Sequence, residues 1–204
     1  MTGSIFARAA LAAVATSLLG ACAPIIVGGA VVGGSMVVID RRTSGAQVED
    51  QSIEIKAASR VRELATLGNV SVTSYNRMIL ISGEVPTEDD RAKVEDALVR
   101  LENVRSVVNE LAVAANASFG TKSGDSILSA KVKASLVDAK DLQANAFKVV
   151  SERGVVYLMG RVTEREATRA SDIARSVPGV QKVVRVFEVI SEEELAGIQT
   201  KPKE

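Results

Sequence analysis

The sequence predicts an α+β protein made of two tandem copies of one unit, each with the order helix, strand, strand, helix, strand (αββαβ). The first observation is an internal repeat, because residues 79–85 (ILISGEV) and 156–162 (VYLMGRV) share one pattern and the apolar positions after them also match. The second is periodicity, since apolar residues recur at helical spacing in some stretches and alternate in others. The third is an apolar N-terminus, which predicts a signal peptide ahead of the two units.

The N-terminal run begins with one cation, Arg8, continues through uncharged apolar residues, and ends in Leu-Gly-Ala before Cys22, the single cysteine. This ending resembles the bacterial lipobox. The resemblance implies that residues 1–21 are a lipoprotein signal peptide, and that Cys22 becomes the acylated first residue. A thiolate is a good nucleophile for acyl transfer. The alternative is an ordinary signal peptide whose cysteine is buried.

Composition excludes several classes of function. The chain has 25 cationic and 25 acidic residues, no histidine, no tryptophan and one cysteine. The balanced charge gives no general attraction to nucleic acid. Without histidine, Ser–His and Cys–His catalysis is impossible, and zinc, haem or iron–sulfur centres lack ligands. We therefore expect no enzyme activity, no metal and no cofactor apart from the covalent lipid on Cys22.

Residues 22–45 are predicted to be a membrane-proximal linker. Residues 23–39 are uncharged and rich in glycine, which predicts either a segment lying at the membrane interface or a flexible apolar tether. Together with an uncut signal, residues 9–39 could instead cross a bilayer. Ala23 is not the aspartate that resembles an inner-membrane retention signal, which implies sorting to the outer membrane. Residues 43–47 are interpreted as linker.

The first unit is predicted over residues 46–115. Helical spacing covers residues 53–65, and strands at 70–73 and 78–85 are joined by a turn at Asn76-Arg77. Thr87 is placed to cap a second helix that runs to Leu101. Residues 105–113 then complete a three-stranded sheet with two helices on one face.

The second unit is predicted over residues 123–190, after a linker at 116–122. Residues 127–137 form its first helix, and strands at 147–150 and 155–162 meet across Arg153-Gly154. Thr163 and Glu166 have the spacing of a capping box. Residues 180–189 form the last strand, and residues 191–204 are predicted to be a solvated, charged tail.

This order of elements resembles the BON domain. The matching residues are Gly83 and Gly160 near the end of each hairpin, the Thr-Glu helix starts that follow them, and the later Val-x-x-Val-Val strands. Each glycine is expected to permit close backbone approach. With the lipobox, the chain resembles dual-BON-domain outer-membrane lipoproteins, which implies anionic-phospholipid binding by the second domain. Such proteins can carry tryptophan where this sequence has Ile127.

The first helix of the second unit supplies the candidate phospholipid-binding residues. Its face away from the core is weakly apolar and bordered by two lysines, which suits an anionic lipid surface. The predicted contacts are Ile127, Ala130, Lys131, Lys133, Ala134 and Val137. The alternative is that this stripe packs against the first domain and the lysines are solvated.

The sequence thus predicts a non-enzymatic protein anchored by lipid to the outer membrane and facing the periplasm. Its expected partner is an anionic phospholipid membrane, and its expected role is to support outer-membrane integrity. A rival hypothesis is a periplasmic chaperone or assembly factor that binds outer-membrane or secreted proteins along exposed sheet edges. A third is a structural spacer or subunit of a secretion complex.

Overall fold

The computed structural model describes residues 40–64 and 68–200, which belong to one compact unit, Val38–Glu204. Cys22, the predicted signal peptide and most of the predicted membrane-proximal linker lie outside the described residues. The predicted α+β class and the two αββαβ units are confirmed.

The first domain contains two helices and a sheet built on one central strand. Its elements in order are α1 (Ser44–Glu63), β1 (Asn69–Tyr75), β2 (Met78–Val85), α2 (Glu88–Val99), β3 (Ser106–Asn109) and β4 (Ala112–Val113). β2 pairs with β1 antiparallel on one side and with β3 and then β4 in parallel on the other, so the predicted third strand is present as two segments.

The second domain repeats this plan with an uninterrupted third strand. Its elements are α3 (Phe119–Asp138), a 3₁₀ turn (Ala144–Ala146), β5 (Phe147–Glu152), β6 (Val155–Val162), α4 (Glu164–Ser176), β7 (Lys182–Val189) and a further helix, α5 (Glu192–Thr200). β6 is again the central strand, antiparallel to β5 and parallel to β7 along its whole length.

In each domain, an aspartate on the first helix holds the hairpin turn by accepting two backbone hydrogen bonds. The carboxylate of Asp50 accepts hydrogen bonds from the backbone N–H groups of Asn76 and Arg77, both at 2.7 Å. Asp125 accepts those of Arg153 and Gly154 at 2.8 and 2.9 Å. All four turn residues have positive φ, as a two-residue hairpin turn with the twist of the strands requires. The duplication therefore extends to side chains that the repeat in the strands did not reveal.

Each central strand carries apolar residues on both faces, and the alternation divides them between two cores. Ile79 and Ile81 pack under the helices of the first domain, whereas Met78 and Leu80 point to the opposite face of the sheet. That opposite face joins the matching face of the second sheet in one cluster. Its buried members are Tyr75, Met78, Leu80, Tyr157, Met159 and Val186. The two domains therefore pack sheet against sheet, with the helices on the outside.

Polar contacts reinforce this packing at its edges. Glu188 on β7 accepts hydrogen bonds from Asn76 at 2.6 Å and from Arg105 at 2.7 Å. Lys148 on β5 donates to Glu54 at 2.8 Å and to the carbonyl oxygen of Ser74 at 3.2 Å. The pairing of the domains thus combines a buried apolar cluster with charge-assisted hydrogen bonds.

Two consecutive arginines ahead of α1 bind one domain each. Arg41 is 3% exposed and donates to both oxygens of Glu166 in the second domain at 2.7 Å. Arg42 pairs with Asp50 of the first domain at 2.8 Å, and its guanidinium carbon lies 4.3 Å from the ring centre of Tyr75. The start of the compact unit is therefore held against both domains.

Both predicted structural glycines lie against neighbouring backbone. Gly83 has φ +112°, and a Cβ there would clash with the carbonyl oxygen of Asn69. A Cβ at Gly160 would clash with the carbonyl oxygen of Ala146, although φ at Gly160 is not positive. Neighbouring backbone thus approaches both glycines closely, and of the two only Gly83 has a left-handed backbone conformation.

Three predicted boundaries differ from the structure. α1 begins at Ser44 with Thr43 as its N-cap, inside the stretch interpreted as linker. α3 begins at Phe119, inside the predicted linker 116–122. The predicted solvated tail contains α5, whose Leu195 is buried, because the three glutamates that suggested a tail also suit the first turn of a helix.

Candidate functional site

The candidate site is the outer face of α3, a helix of 20 residues. Ser118 caps it, since its hydroxyl accepts a hydrogen bond from the backbone N–H of Thr121 at 3.2 Å. Leu128, Val132 and Leu136 recur at helical spacing and are buried in the core of the second domain. These three residues fix the rotation of the helix about its axis and so determine which side chains face outward.

An apolar stripe runs along the side of α3 opposite this core. At 100° per residue its members fall within an arc of about 80°. Phe119 is 86% exposed, Ile127 57% and Val137 62%, and Ala130 and Ala134 are exposed between them. From Phe119 to Val137 the stripe is about 27 Å long at 1.5 Å per residue. We refer to Phe119, Ile127, Ala130, Ala134 and Val137 as the α3 stripe.

Phe119 is the stripe residue that the sequence analysis missed. It stands in a segment rich in serine and glycine, from Ser118 to Gly124, which is typical of a linker. The signal that could have revealed it is the N-cap serine at 118 followed by apolar residues at helical spacing, with Phe119 in phase with Ile127 and Val137. Phe119 supplies an exposed aromatic side chain two turns before Ile127.

The charges that α3 exposes between Phe119 and Val137 are positive. Lys122 and Lys131 are exposed on opposite sides of the stripe, and in the described part of the chain neither forms an ion pair. The acidic residue in this stretch, Asp125, is buried and bound to the hairpin turn. The helix therefore presents apolar side chains between unpaired cations.

Lys133 is placed differently from the other predicted contacts. It is half-buried, and its ammonium group donates hydrogen bonds to the carbonyl oxygens of Ala144 at 2.5 Å and Phe147 at 2.9 Å. Burial lowers the pKa of Lys133 from its ordinary value. The structure thus brings together Ile127, Ala130, Lys131, Ala134 and Val137 on one exposed face, whereas Lys133 lies in a groove at the edge of that face.

The corresponding helix of the first domain has a different outer face. α1 also exposes apolar residues, with Val48 at 69% and Ile55 at 65%. Two of its three exposed cations, however, are paired with carboxylates, Lys56 with Glu102 at 3.3 Å and Arg60 with Glu63 at 2.8 Å, and the third, Arg62, lies in the last turn of the helix. The alternative that the α3 stripe packs against the first domain does not match the structure, because the domains meet through their sheets.

Comparison with known families decides the classification. The family model described as BON domain matches residues 50–115 and 124–191, which together cover most of the chain. The chain belongs to the BON-domain family. The matched ranges coincide with the two αββαβ domains, so each domain is one BON domain.

Three relatives align with two-thirds or more of this chain and show which BON-domain proteins it is similar to. The chain is 36% identical over 193 residues to the outer membrane lipoprotein DolP of Haemophilus influenzae, covering 93% of this chain and 100% of that protein. It is 29% identical to a 21 kDa hemolysin of Actinobacillus pleuropneumoniae, covering 74% and 80% of the two chains. It is 28% identical to the osmotically-inducible protein Y of Escherichia coli, covering 67% and 70%.

These matches confirm the prediction of a DolP-like protein with two BON domains, and they place it in the outer membrane as a lipoprotein. Within residues 40–64 and 68–200, no helix has the length and apolar character needed to cross a membrane. Acylation at Cys22 concerns a residue outside the described part and stays a prediction.

Proposed function

We propose that this BON-domain protein binds anionic phospholipid through α3 of its second domain, while acyl chains on Cys22 anchor it to the outer membrane. The protein acts without catalysis, as a periplasm-facing membrane-binding module that gathers where anionic lipid accumulates and so supports the integrity of the outer membrane. The observation that carries this proposal is the exposed α3 stripe lying between Lys122 and Lys131, neither of which forms an ion pair within the described residues.

The physical basis is a sum of two weak contributions. Apolar side chains on one face of a helix can enter the boundary between headgroups and acyl chains, and each nearby ammonium gains about 1 kcal/mol at an anionic surface. A lipid anchor keeps the domain at a high local concentration of lipid, so a weak site is sufficient. Phe119 adds the largest apolar side chain of the stripe at its N-terminal end.

The test is vesicle co-sedimentation of the compact unit, residues 38–204, which contains all three buried clusters of the described chain and no acyl group. Vesicles of phosphatidylcholine with and without phosphatidylglycerol should give binding that depends on the anionic lipid. Ile127→Ser should weaken it, and so should Lys131→Glu. Ile55→Ser is the matched control, because Ile55 has a similar exposure on the corresponding helix of the first domain.

Equal sedimentation with neutral and anionic vesicles would refute the proposal, and so would equal effects of Ile55→Ser and Ile127→Ser. If crosslinking instead captured unfolded outer-membrane proteins through the sheet edges, with no preference for lipid, the assembly-factor hypothesis would replace it.

A further inference from the structure

A groove of about 410 Å³ lies beside the α3 stripe, between α3, β5 and the segment ahead of α1. Its walls include three cations, Arg42, Lys133 and Lys148, and no acidic side chain is among the described residues that line it. Ala130 lines this groove and also belongs to the stripe. The groove therefore opens next to the face that we propose to contact lipid.

The three cations have different capacities to bind a ligand. Arg42 is occupied, because its guanidinium group donates to both oxygens of Asp40 and to Asp50. Lys148 uses two of its three N–H groups, on Glu54 and on the carbonyl oxygen of Ser74. Lys133 also uses two, both on carbonyl oxygens. Among the described residues, the two lysines thus each retain one N–H for a ligand.

The surroundings of Lys133 favour the binding of an anion. Charged groups that are taken out of water are normally paired with an opposite charge. Lys133 is half-buried, yet over residues 40–64 and 68–200 it forms no ion pair with a carboxylate, and carbonyl dipoles alone hold its ammonium group. The lowered pKa of Lys133 has the same cause, since burial disfavours its charged form. A bound anion would supply the missing charge.

We propose that the groove binds a phosphate group, with Lys133 and Lys148 as donors, and that the phosphate is that of a phospholipid whose acyl chains follow the α3 stripe. Phosphate oxygens accept charge-assisted hydrogen bonds from ammonium groups. Ala130 joins the two regions, so a headgroup in the groove leaves the chains directed along Ile127 and Ala134. The assignment to lipid rests on the proposed function, whereas the phosphate site itself does not.

The experiment follows amide NMR shifts of residues 38–204 during titration with three probes. These are inorganic phosphate, glycerol 3-phosphate, and dihexanoyl-phosphatidylglycerol below its micelle concentration. We expect all three to shift the amides of Ser129, Asn145 and Lys148, which line the groove, and the lipid to bind most tightly. Equal affinity for the three probes would overturn the lipid assignment, and unmoved groove amides would overturn the phosphate site.

The variants separate the groove from the stripe. Loss of one charge-assisted hydrogen bond in Lys133→Gln should weaken binding of the short-chain lipid roughly tenfold. Lys140→Gln is the matched control, since it removes the same charge just after the end of the same helix and outside the groove lining, and it should change that affinity less than about twofold. Lys133→Arg keeps the charge and should retain binding. Lys148→Gln tests the opposite wall if Lys133→Gln lowers the melting temperature. Equal effects of Lys140→Gln and Lys133→Gln would contradict the proposal.

Vesicle sedimentation distinguishes the two proposals. If anionic vesicles bind through Ile127 while the groove amides do not respond to any probe, the proposed function stands and the groove proposal fails. If phosphate titrates the groove while anionic vesicles do not bind, the groove stands as a site for soluble phosphate and the membrane function fails.

Discussion

Replacing Phe119 by serine tests the α3 stripe at its most exposed residue. Aromatic side chains bury about 150–250 Å² when fully covered, and Phe119 is 86% exposed. If about half of that area enters the membrane boundary, roughly 85 Å² is removed from water, worth about 2 kcal/mol at 25 cal/mol per Å². A loss of this size corresponds to about 30-fold weaker vesicle binding. Since the side chain contacts so little of the fold, the stability of Phe119→Ser should stay within about 0.5 kcal/mol of the wild type.

The assay is co-sedimentation with phosphatidylglycerol vesicles at low and at high salt. Val48→Ser, on α1, is the control for loss of an exposed apolar side chain elsewhere. The factor lost in Phe119→Ser should be the same at both salt concentrations because burial of apolar area is not screened. The factor lost in Lys131→Gln should shrink at high salt because its attraction to the surface is screened.

A second readout uses the absence of tryptophan from the chain. In Phe119→Trp a single indole reports on one position, and its emission should shift to the blue and be quenched by brominated lipid when vesicles are added. Ile55→Trp should show neither effect. An emission spectrum of Phe119→Trp that is unchanged by anionic vesicles would refute the insertion of this residue, as would an equal loss of binding in Phe119→Ser and Val48→Ser.

Three further predictions concern the fold. Arg41→Ala leaves the buried carboxylate of Glu166 without its partner and should lower the free energy of unfolding by about 3–5 kcal/mol in urea titrations; a loss below about 1 kcal/mol would contradict the role of the pair. Burial alone would raise the pKa of Glu166 and of Glu188, but hydrogen bonds from Arg41, and from Arg105 and Asn76, lower both pKa values overall. The stability that these carboxylates contribute is therefore complete above their ordinary pKa of 4.5 and is lost as the pH falls through the depressed pKa values. The urea midpoint should drop between about pH 5 and pH 3. A urea midpoint that does not change with pH in this range would exclude the contribution of these carboxylates. Gly83→Ala should destabilise the protein by more than about 1 kcal/mol, because φ at Gly83 is +112° and a Cβ there would clash with backbone. Gly124→Ala should stabilise it by up to about 1 kcal/mol, because Gly124 is helical and a Cβ there would lie in open space. Thermal melts that reverse this order would refute the argument.

Much of the architecture follows from local patterns in the sequence. The repeat at residues 79–85 and 156–162 marks the two central strands, and their alternation is a local property of the chain. The Thr163 capping box was also predictable, since a cap depends on residues within one turn. The start of α3 was not predicted because Gly120 and Gly124 are poor helix formers. These two residues are helical because the later residues of α3 pack against the core and stabilise the whole helix.

The contacts that hold the domains together could not be predicted in the same way. Arg41 and Glu166 are separated by 125 positions, and no local pattern connects them. The same holds for Lys133, which resembles any helix-border lysine in the sequence. Its half-buried position depends on two carbonyl oxygens supplied by the 3₁₀ turn and the start of β5. Long-range partners determine which lysine is solvated and which faces a groove, so the sequence could propose the stripe but not the groove.

The arrangement of the two domains bears on why the proposed membrane-binding face lies on the second copy. Each sheet covers one side with its own helices and the other with the sheet of its neighbour, so most of the apolar surface of the central strands is buried. Most of the large apolar side chains that stay exposed in the described residues lie on the outer faces of helices. On α1 two of the three exposed cations, Lys56 and Arg60, pair with carboxylates at close range. On α3 Asp125 is turned inward to hold the hairpin, and among the described residues Lys122 and Lys131 form no ion pair. The two copies thus keep the same aspartate contacts to the hairpin turn, and they differ in how much of the positive charge beside their exposed apolar side chains is paired. An anionic lipid surface can compensate that charge and cover those side chains at once.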